Sequence, residues 1–365
     1  MKKSAKLFAA IASLCVFGGT LASCGSTSSS EDKTIKVQFV PSRDAGELAT
    51  LATKLEPILA KYAPGYTFEI TTGTTYAAVT EALISNQLDV GFLTASGYAE
   101  ATLKHEGEVS VLMTSVRKGY KVQTDDYPNS VADQIKAMNG DITGYTYLGE
   151  QSDTNVNWYT SQLVVSNKNY VDKNGDGTID IHDMAGLKIA RQGTSSGAGY
   201  LRPLKYLNDN KMKMVDTLST DATVAAKQMQ GQYIKGYDAA YAAMQSGEVD
   251  GMWEFTDVRY SNGYNKVGNE YYHKDTAFTT SKTVAITDKI YNDTISCRTA
   301  LSDDKQAAVK AAFKGAITDG TSTTEGTGAY LLYNLYSHTG YTDAKNSDFD
   351  GEREFYQYCV DNNLI

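Results

Sequence analysis

Two loops rich in glycine and hydroxyl side chains are the parts of this sequence best suited to chemistry. The first, residues 193–199 (GTSSGAG), leaves a predicted strand and opens a predicted helix. Backbone N–H groups at the start of a helix have no partner inside it, and the helix dipole favours negative charge at that end. We therefore expect this loop to bind an anion through amides and hydroxyls. A flexible cap on the helix is the alternative interpretation.

The second loop, residues 72–79 (TGTTYAAV), has a similar composition at another strand exit. Two such loops from separate lobes could face one ligand. The first loop lacks the lysine of GxxxxGK[ST], so nucleotide hydrolysis is not predicted. The chain of 365 residues is acidic, with a net charge of −9, which argues against a nucleic-acid partner held by bulk charge.

A third segment, residues 172–183 (DKNGDGTIDIHD), has the ligand spacing of an EF-hand calcium loop. Oxygen-bearing side chains stand at its positions 1, 3, 5, 9 and 12, which are Asp172, Asn174, Asp176, Asp180 and Asp183. Thr178 would offer its carbonyl at position 7, and Asp in place of Glu at position 12 resembles the dockerin variant. The segment predicts a structural calcium ion that stabilises the second lobe. A surface turn without a metal ion is the alternative interpretation.

Signatures of catalysis are scarce in the sequence. It contains no HExxH and no Cys or His cluster with zinc-binding spacing. Residues 193–197 (GTSSG) fit the letters of GxSxG, but the chain has few histidines that could serve as a base for Ser195. The four histidines, His105, His182, His273 and His338, stand in polar stretches and are expected to be exposed or structural. We therefore predict a protein that is not an enzyme and has no catalytic cofactor.

The N-terminus has the features of a bacterial export signal. Lysines precede an apolar run over residues 7–19, which is too short to span a bilayer as a helix. Residues 21–24 (LASC) resemble the lipobox, in which the cysteine becomes the lipidated first residue; an ordinary signal with an incidental cysteine is the alternative. We expect a signal peptide over 1–23, lipid on Cys24 and a flexible tether over 24–33.

Strand and helix patterns alternate from residue 34 onward. Strands are predicted over residues 35–40, 68–71 and 88–93, and helices over 46–62 and 76–87. This alternation predicts parallel βαβ units. Two cysteines in the folded part, Cys297 and Cys359, could pair in an oxidising compartment, but their spacing alone does not decide this.

A polar, weakly periodic excursion with one predicted helix at 131–138 interrupts the pattern over residues 118–157. Strands and helices then alternate again. We predict an α/β chain of two lobes, the first formed by residues 34–117 and 285–365 and the second by residues 118–284. Ligands bind in the cleft between such lobes, at the carboxyl ends of the parallel strands.

The order of several motifs is similar to that of the phosphate, phosphite and phosphonate substrate-binding lipoproteins of ABC importers. The matching segments are residues 73–79 with 81–83, 88–92, 159–161, 194–197 with 200, 201 and 203, and 238–240 followed by 247–250. The resemblance implies a periplasmic-binding-protein fold of type II that closes on its ligand by a hinge motion. It also implies an ABC permease as the partner and a monomer anchored by lipid to the outer face of the bacterial cell membrane.

The resemblance assigns roles to individual residues. Thr194, Ser195 and Ser196 would hold an oxyanion head group with amides and hydroxyls. Tyr76 and Tyr159 would close over that head group from either side.

The sequence departs from the family pattern near the ligand. Asp257 falls where members that bind aminoalkylphosphonates place an acid for the amine. Tyr237, however, stands where the family usually has His, so that one donor to the head group would be a phenol instead of an imidazole. A second acid of the family aligns with Lys282, which would repel an ammonium. Ala198 and Gly199 are extra residues that enlarge the anion loop. These changes favour phosphate, phosphite or a simple phosphonate over an aminoalkyl ligand.

We therefore predict a solute-binding lipoprotein that captures phosphate, phosphite or a phosphonate and delivers it to a permease. An alternative within transport is a receptor for an organic solute stacked on tyrosines, such as a sugar, an amine or a cofactor precursor. The 26 tyrosines of the chain would suit such a ligand. A surface hydrolase would need a Ser, a His and an acid to converge, and a structural adhesion lipoprotein would bind no ligand.

Overall fold

The computed structural model describes residues 32–42, 45–260 and 276–365. The predictions for the signal peptide, for lipid on Cys24, for the tether up to residue 31 and for His273 fall outside these residues. In the part described, no helix is both long enough and apolar enough to cross a membrane.

Strands of the described residues form two sheets. In chain order they are β1 Thr34–Phe39, β2 Thr67–Thr72, β3 Val90–Leu93, β4 Val109–Tyr120, β5 Gln151–Val156, β6 Trp158–Ser166, β7 Lys188–Arg191, β8 Lys213–Val215, β9 Gln228–Tyr233, β10 Gly251–Phe255, β11 Ser281–Tyr291, β12 Thr294–Arg298 and β13 Gly340–Asp343. The first sheet has the order β13-β4-β12-β3-β1-β2, with β5 paired to β4. The second has the order β11-β6-β10-β7-β9-β8.

Helices connect these strands. In chain order they are α1 Ala45–Tyr62, α2 Tyr76–Ile84, α3 Ala95–Lys104, α4 Lys121–Thr124, α5 Val131–Met138, α6 Arg202–Asp209, α7 Ala222–Ala225, α8 Tyr237–Ser246, α9 Ala277–Thr280, α10 Asp303–Ala316, α11 Gly328–Tyr336 and α12 Asp350–Asp361. Leu48, Leu55 and Leu59 of α1 are fully buried in the core of the first sheet, because their spacing puts them on one face of the helix.

Both sheets contain parallel strand pairs, as the alternation of strands and helices in the sequence predicted. β1 pairs in parallel with β2 and β3, and β7 pairs in parallel with β9 and β10. The βαβ units predicted for the first part of the chain are therefore confirmed. Antiparallel partners flank these strands: β12 lies beside β3 in the first sheet, and β6 lies beside β10 in the second.

The polar excursion at residues 118–157 forms regular structure. Helix α5 matches the predicted helix, which is thereby confirmed. The Asn139 side chain at its end donates to Thr283 O and accepts from Thr283 N, both at 2.8 Å, and so binds the excursion to β11. β11 pairs with β6 from Ser281 to Tyr291, so the lobe boundary predicted between residues 284 and 285 falls inside one continuous strand.

A buried ion pair joins α6 to α12. Arg202 Nη2 lies 2.6 Å from Glu352 Oε1, which also accepts from Tyr291 N at 3.1 Å. The guanidinium carbon of Arg202 lies 3.7 Å from the ring centroid of Phe355. Because α12 also packs on α3, this contact connects α6, which follows a strand of the second sheet, to the helices of the first.

The two cysteines of the folded part do not pair in this structure. Cys297 in β12 and Cys359 in α12 are both free. They are buried in separate apolar clusters, one around the first sheet and one where Leu201, just before α6, packs against α12.

Gly328 begins α11 where α10 leaves no room for a side chain. A Cβ atom there would lie 2.2 Å from the backbone oxygen of Ala316. We expect Gly328→Ala to lower the free energy of unfolding, measured by chemical denaturation, by about 1–3 kcal/mol. Gly351→Ala in α12 is the matched control, because a Cβ there meets no atom within 4 Å. Helix propensity predicts unchanged or slightly higher stability for that control. Equal losses in both variants would contradict the steric explanation.

Candidate functional site

A small buried cavity, called here the inner cavity, lies where strand ends of both sheets meet. Its volume is about 50 Å³, which is room for a few water molecules or one small oxyanion. Its lining residues come from strand ends, helix starts and connections: Val40, Ser42, Tyr76, Thr94, Arg117, Tyr159, Ser196, Tyr237, Phe255, Asp293, Leu335, Tyr336 and Ser337. Val40, Thr94 and Ser196 follow the carboxyl ends of parallel strands, where the sequence placed the ligand.

Ser196 is the residue of the predicted anion loop whose hydroxyl lines the inner cavity. It is only 2% exposed. Its Oγ accepts a hydrogen bond from Gly199 N at 3.1 Å and lies 3.2 Å from Tyr237 Oη. The ring of Tyr237 packs edge-on against Phe255, with centroids 4.9 Å apart. Both hydroxyls are therefore fixed before any ligand arrives.

Ala198 and Gly199, the residues that the resemblance implies are additions to the anion loop, lie in a π-helical turn over Gly197–Leu201. Such a turn accommodates additional residues within a helix. A Cβ at position 199 would lie 2.4 Å from Gln192 Cγ and 3.0 Å from Tyr237 Oη. Glycine at this position therefore allows the turn to close tightly around Ser196.

Four tyrosines line the inner cavity, and the three that were predicted to meet the ligand come from different elements. Tyr76 begins α2, Tyr159 lies in β6 and Tyr237 begins α8. Burial raises the pKa of each phenol above its ordinary value of 10. The three hydroxyls are therefore protonated at neutral pH, and each can donate a hydrogen bond. The structure thus brings together Tyr76, Tyr159, Ser196 and Tyr237 from the predicted set.

Arg117 and Asp293 also line the inner cavity, although sequence reasoning identified neither. Arg117 Nη2 lies 3.4 Å from Asp293 Oδ2, and the guanidinium carbon lies 4.9 Å from the ring centroid of Tyr159. The pair adds no net charge to the cavity. Arg117 directly follows the mostly apolar run at residues 109–116 (VSVLMTSV), and a basic residue in that place was an available signal. Asp293 lies in the short connection between β11 and β12 and belongs to no motif.

A second cavity of about 370 Å³, called here the outer cavity, shares Tyr76 with the first. Its lining residues are Pro41, Thr75, Tyr76, Ala77, Arg191, Gln192, Gly193, Thr194, Ser195, Tyr233 and Lys235. Thr194 and Ser195, predicted to hold an oxyanion together with Ser196, line this cavity and not the inner one. The predicted anion loop is therefore divided between two adjoining spaces.

Asp257, predicted to meet a ligand amine, forms an ion pair in the protein interior. Its Oδ2 lies 2.8 Å from Arg259 Nη2, and both side chains are 0% exposed. Tyr147 Oη donates to the same carboxylate oxygen at 3.1 Å. Asp257 lines neither cavity. The structure differs from the prediction because the chain supplies its own cation, Arg259, to this acid.

Lys282 likewise does not face the ligand site. Its ammonium donates a hydrogen bond to the carbonyl oxygen of Asn139 and lines neither cavity. The sequence argument that Lys282 would repel a ligand ammonium therefore finds no support in the structure.

The predicted calcium loop is closed by hydrogen bonds to its own backbone. Asp172 accepts from the amides of Gly175 and Gly177 at 2.6 and 2.9 Å, and the buried Asp183 accepts from Lys173 N at 2.8 Å. The other predicted ligands are bonded within the same loop: Asn174, Asp176, Thr178 and Asp180. Among the residues that the structure describes, no three His, Cys, Asp or Glu side chains are grouped to hold a metal ion. Each carboxylate oxygen that accepts from an amide keeps a further lone pair, and the structural calcium ion predicted for this loop stays a prediction.

His338, expected from its polar surroundings in the sequence to be exposed or structural, is 1% exposed. Its ring stacks on Phe92 with centroids 6.2 Å apart, and Nδ1 lies 3.1 Å from Tyr341 Oη. Nε2 lies 3.7 Å from the Asp293 carboxylate. Burial lowers the pKa of His338 and outweighs this carboxylate, which acts to raise it. The ring is therefore neutral at neutral pH.

This burial predicts a pH dependence of stability. The pKa of His338 is lower in the folded chain than its ordinary value of 6.5, so falling pH protonates the unfolded chain first and favours it. We expect the free energy of unfolding to fall more steeply from about pH 7 to pH 5 in the wild type than in His338→Phe, which keeps an aromatic ring. Parallel pH profiles from denaturant titrations would show that His338 does not titrate in this way.

Replacing Asp257 by Asn would remove one buried charge and leave Arg259 without its counter-ion. We expect Asp257→Asn to lower the free energy of unfolding by about 3–5 kcal/mol in denaturant titrations. Asp153→Asn is the matched control, because Asp153 pairs with Lys118 at 2.9 Å on the surface. Exposed pairs contribute about 0–1 kcal/mol. A loss no larger than that of the control would argue against a structural role for Asp257.

The sequence matches a known family over residues 37–349. That family is described as ABC transporter, phosphonate, periplasmic substrate-binding protein. The match spans most of the chain and confirms the resemblance drawn from the order of the motifs. A search of curated proteins found no match.

Solved structures show the same two-lobed α/β fold. PhnD1 from Prochlorococcus marinus, in complex with methylphosphonate, has a TM-score of 0.61 and 12% identity, over 90% of this chain and 99% of that one. A binding protein component of an ABC phosphonate transporter (PA3383) from Pseudomonas aeruginosa has a TM-score of 0.58 and 13% identity, over 90% of this chain and 87% of that one. XAC2383 from Xanthomonas citri bound to ATP has a TM-score of 0.56 and 14% identity, over 90% of this chain and 98% of that one. The protein belongs to the phosphonate-binding family of ABC-transporter periplasmic substrate-binding proteins, a transport family whose members bind a small ligand outside the membrane for an ABC permease.

Proposed function

We propose that this protein captures a small phosphorus oxyanion, namely phosphate, phosphite or a phosphonate, and delivers it to its permease without chemical change. The observation that carries the proposal is the convergence of hydroxyls on the inner cavity, four of them from residues singled out in the sequence. Ser196, Tyr159 and Tyr237 come from the second lobe, and Tyr76 comes from the first. A tetrahedral oxyanion offers several acceptor oxygens, and these hydroxyls offer matching donors.

Burial explains why such donors are needed. An anion that leaves water loses its hydration, and hydrogen bonds from the protein must replace it. Hydrogen bonds to a charged acceptor are the stronger ones, so a few well-placed donors suffice. The guanidinium of Arg117 can donate further hydrogen bonds to the anion, and its ion pair with Asp293 keeps the net charge of the two residues at zero. Selectivity would then rest on fixed neutral donors and on the small volume of the cavity.

Closure of the two lobes would complete the site. Thr94, which caps α3 in the first lobe, donates its hydroxyl to Ser195 O of the anion loop at 3.3 Å. Both lobes therefore contact each other beside the inner cavity. A ligand that bonds to residues of both lobes would stabilise this closed arrangement relative to an open one.

We extend the proposal to the N-terminus, which supports a membrane-anchored receptor. The LASC sequence at residues 21–24 would place lipid on Cys24, and the polar residues up to 33 would form a tether. The folded part would then act as a monomer at the outer face of the cell membrane, close to the permease.

Isothermal titration calorimetry tests the ligand class. We expect phosphate, phosphite or methylphosphonate to bind the wild type, and Ser196→Ala to weaken binding by about ten- to a hundredfold, since it removes one hydrogen bond to a charged acceptor. Ser246→Ala is the matched control, because Ser246 bonds only to Ala243 O within α8 among the contacts described. No heat with any of the three anions would overturn the ligand class, and so would an unchanged affinity in Ser196→Ala.

A second candidate ligand is an organic solute stacked on tyrosines. It is favoured by the aromatic residues Tyr76, Tyr159, Tyr237, Phe255 and Tyr336 around the inner cavity, together with the carboxylate of Asp293. Aromatic rings beside an acid suit an amine. Heat with sugars or amines in the same titrations, without heat for the oxyanions, would support this candidate.

A further inference from the structure

The outer cavity carries a positive charge that the oxyanion proposal does not use. Arg191 and Lys235 line it, and no Asp or Glu is among the lining residues that the structure describes. This is unusual in a chain with a net charge of −9. Cations concentrated in one concave space of an acidic protein create a local field that attracts an anionic group.

Neither cation is strongly neutralised by the protein. Arg191 donates to Gln192 O at 3.3 Å and stacks over Tyr200 at 5.0 Å. Its contact with Asp216 is 3.4 Å long, and that carboxylate is 88% exposed, so the pair is weak. Lys235 is exposed and makes no salt bridge to any residue within the described part of the chain.

The outer cavity is also placed to receive the remainder of a ligand whose head group occupies the inner cavity. Tyr76 lines both spaces, and Ser195 and Ser196 are adjacent residues that line one space each. The inner cavity, at about 50 Å³, has little room beyond a head group, whereas the outer one measures about 370 Å³. A ligand with a short chain could therefore extend past Tyr76 into the larger space.

We propose that the natural ligand is an extended phosphorus oxyanion with a second anionic group at its far end, which Lys235 and Arg191 bind in the outer cavity. This inference rests on the proposed function, because it presumes that the phosphorus head group occupies the inner cavity. The second group is a carboxylate or a further phosphate. Thr75 and Thr194 add hydroxyl donors beside the two cations.

The test compares four phosphonates that differ only beyond the phosphorus: methylphosphonate, propylphosphonate, 3-phosphonopropionate and 2-aminoethylphosphonate. Calorimetry on the wild type is expected to rank 3-phosphonopropionate first, about tenfold tighter than propylphosphonate, which has a neutral chain of similar length. The ligand with the cationic chain is expected to bind most weakly. Pyrophosphate, added as a separate arm, distinguishes a second phosphate from a carboxylate.

Variants of Lys235 test whether the preference for a second anionic group arises in the outer cavity. Lys235→Glu is expected to lower the affinity for 3-phosphonopropionate relative to methylphosphonate by about tenfold and to improve the relative affinity for 2-aminoethylphosphonate. Lys213→Glu makes the same charge change in β8, away from both cavities, and is expected to leave the ranking unchanged. Lys235→Gln repeats the test without adding a negative charge.

The outcomes separate the two proposals. If no phosphorus oxyanion binds the wild type, the proposed function fails and the inference fails with it. If methylphosphonate binds but neither 3-phosphonopropionate nor pyrophosphate binds more tightly than propylphosphonate, only the inference is overturned. A ranking that Lys235→Glu and Lys213→Glu alter equally would also overturn it, because the effect would then come from net charge.

Discussion

The Ser196 hydroxyl is held by two partners at once, and the form of the inner cavity depends on this double contact. The Gly199 amide donates to it, and the Tyr237 hydroxyl lies within hydrogen-bond distance on another side. The π-helical turn is what brings these groups together, since an ordinary side chain at position 199 would collide with Gln192. A donor fixed in this way needs little reorganisation when an anion arrives, which is how a preorganised site offsets the loss of hydration.

The two lobes meet at more than one place, and the contacts differ in kind. Beside the cavity, Thr94 and Ser195 form a single hydrogen bond, which is easily broken. Between α6 and α12, Arg202 and Glu352 form a buried ion pair, supported by the ring of Phe355. Breaking that pair while it remains buried would be costly. Opening of the cleft therefore requires either a movement that preserves the α6–α12 contact or one that hydrates both charged groups.

The sequence predicted those elements whose structure depends on a local pattern of residues. Helix α5 and the parallel strands followed from periodicity, and the glycine-rich loop followed from its position after a strand. Arg117 and Asp293 escaped because their importance depends on strands that meet only in three dimensions. Asp257 was misassigned because an alignment of motifs cannot show that Arg259 neutralises it. The spacing of residues 172–183 predicted oxygen ligands, but it could not show that the carboxylates also accept hydrogen bonds from amides of the same loop.

If the phenol of Tyr237 takes the place of an imidazole of the family pattern, as the order of the motifs implies, the exchange changes the pH range in which the site keeps its hydrogen-bond donors. An imidazole gains or loses a proton close to neutrality. Burial raises the pKa of Tyr237, so its hydroxyl keeps the same proton in acidic and mildly alkaline surroundings alike. A periplasmic substrate-binding protein has no cytoplasmic buffer around it. The pH dependence of uptake would then follow the ionisation of the ligand, and not the ionisation of Tyr237.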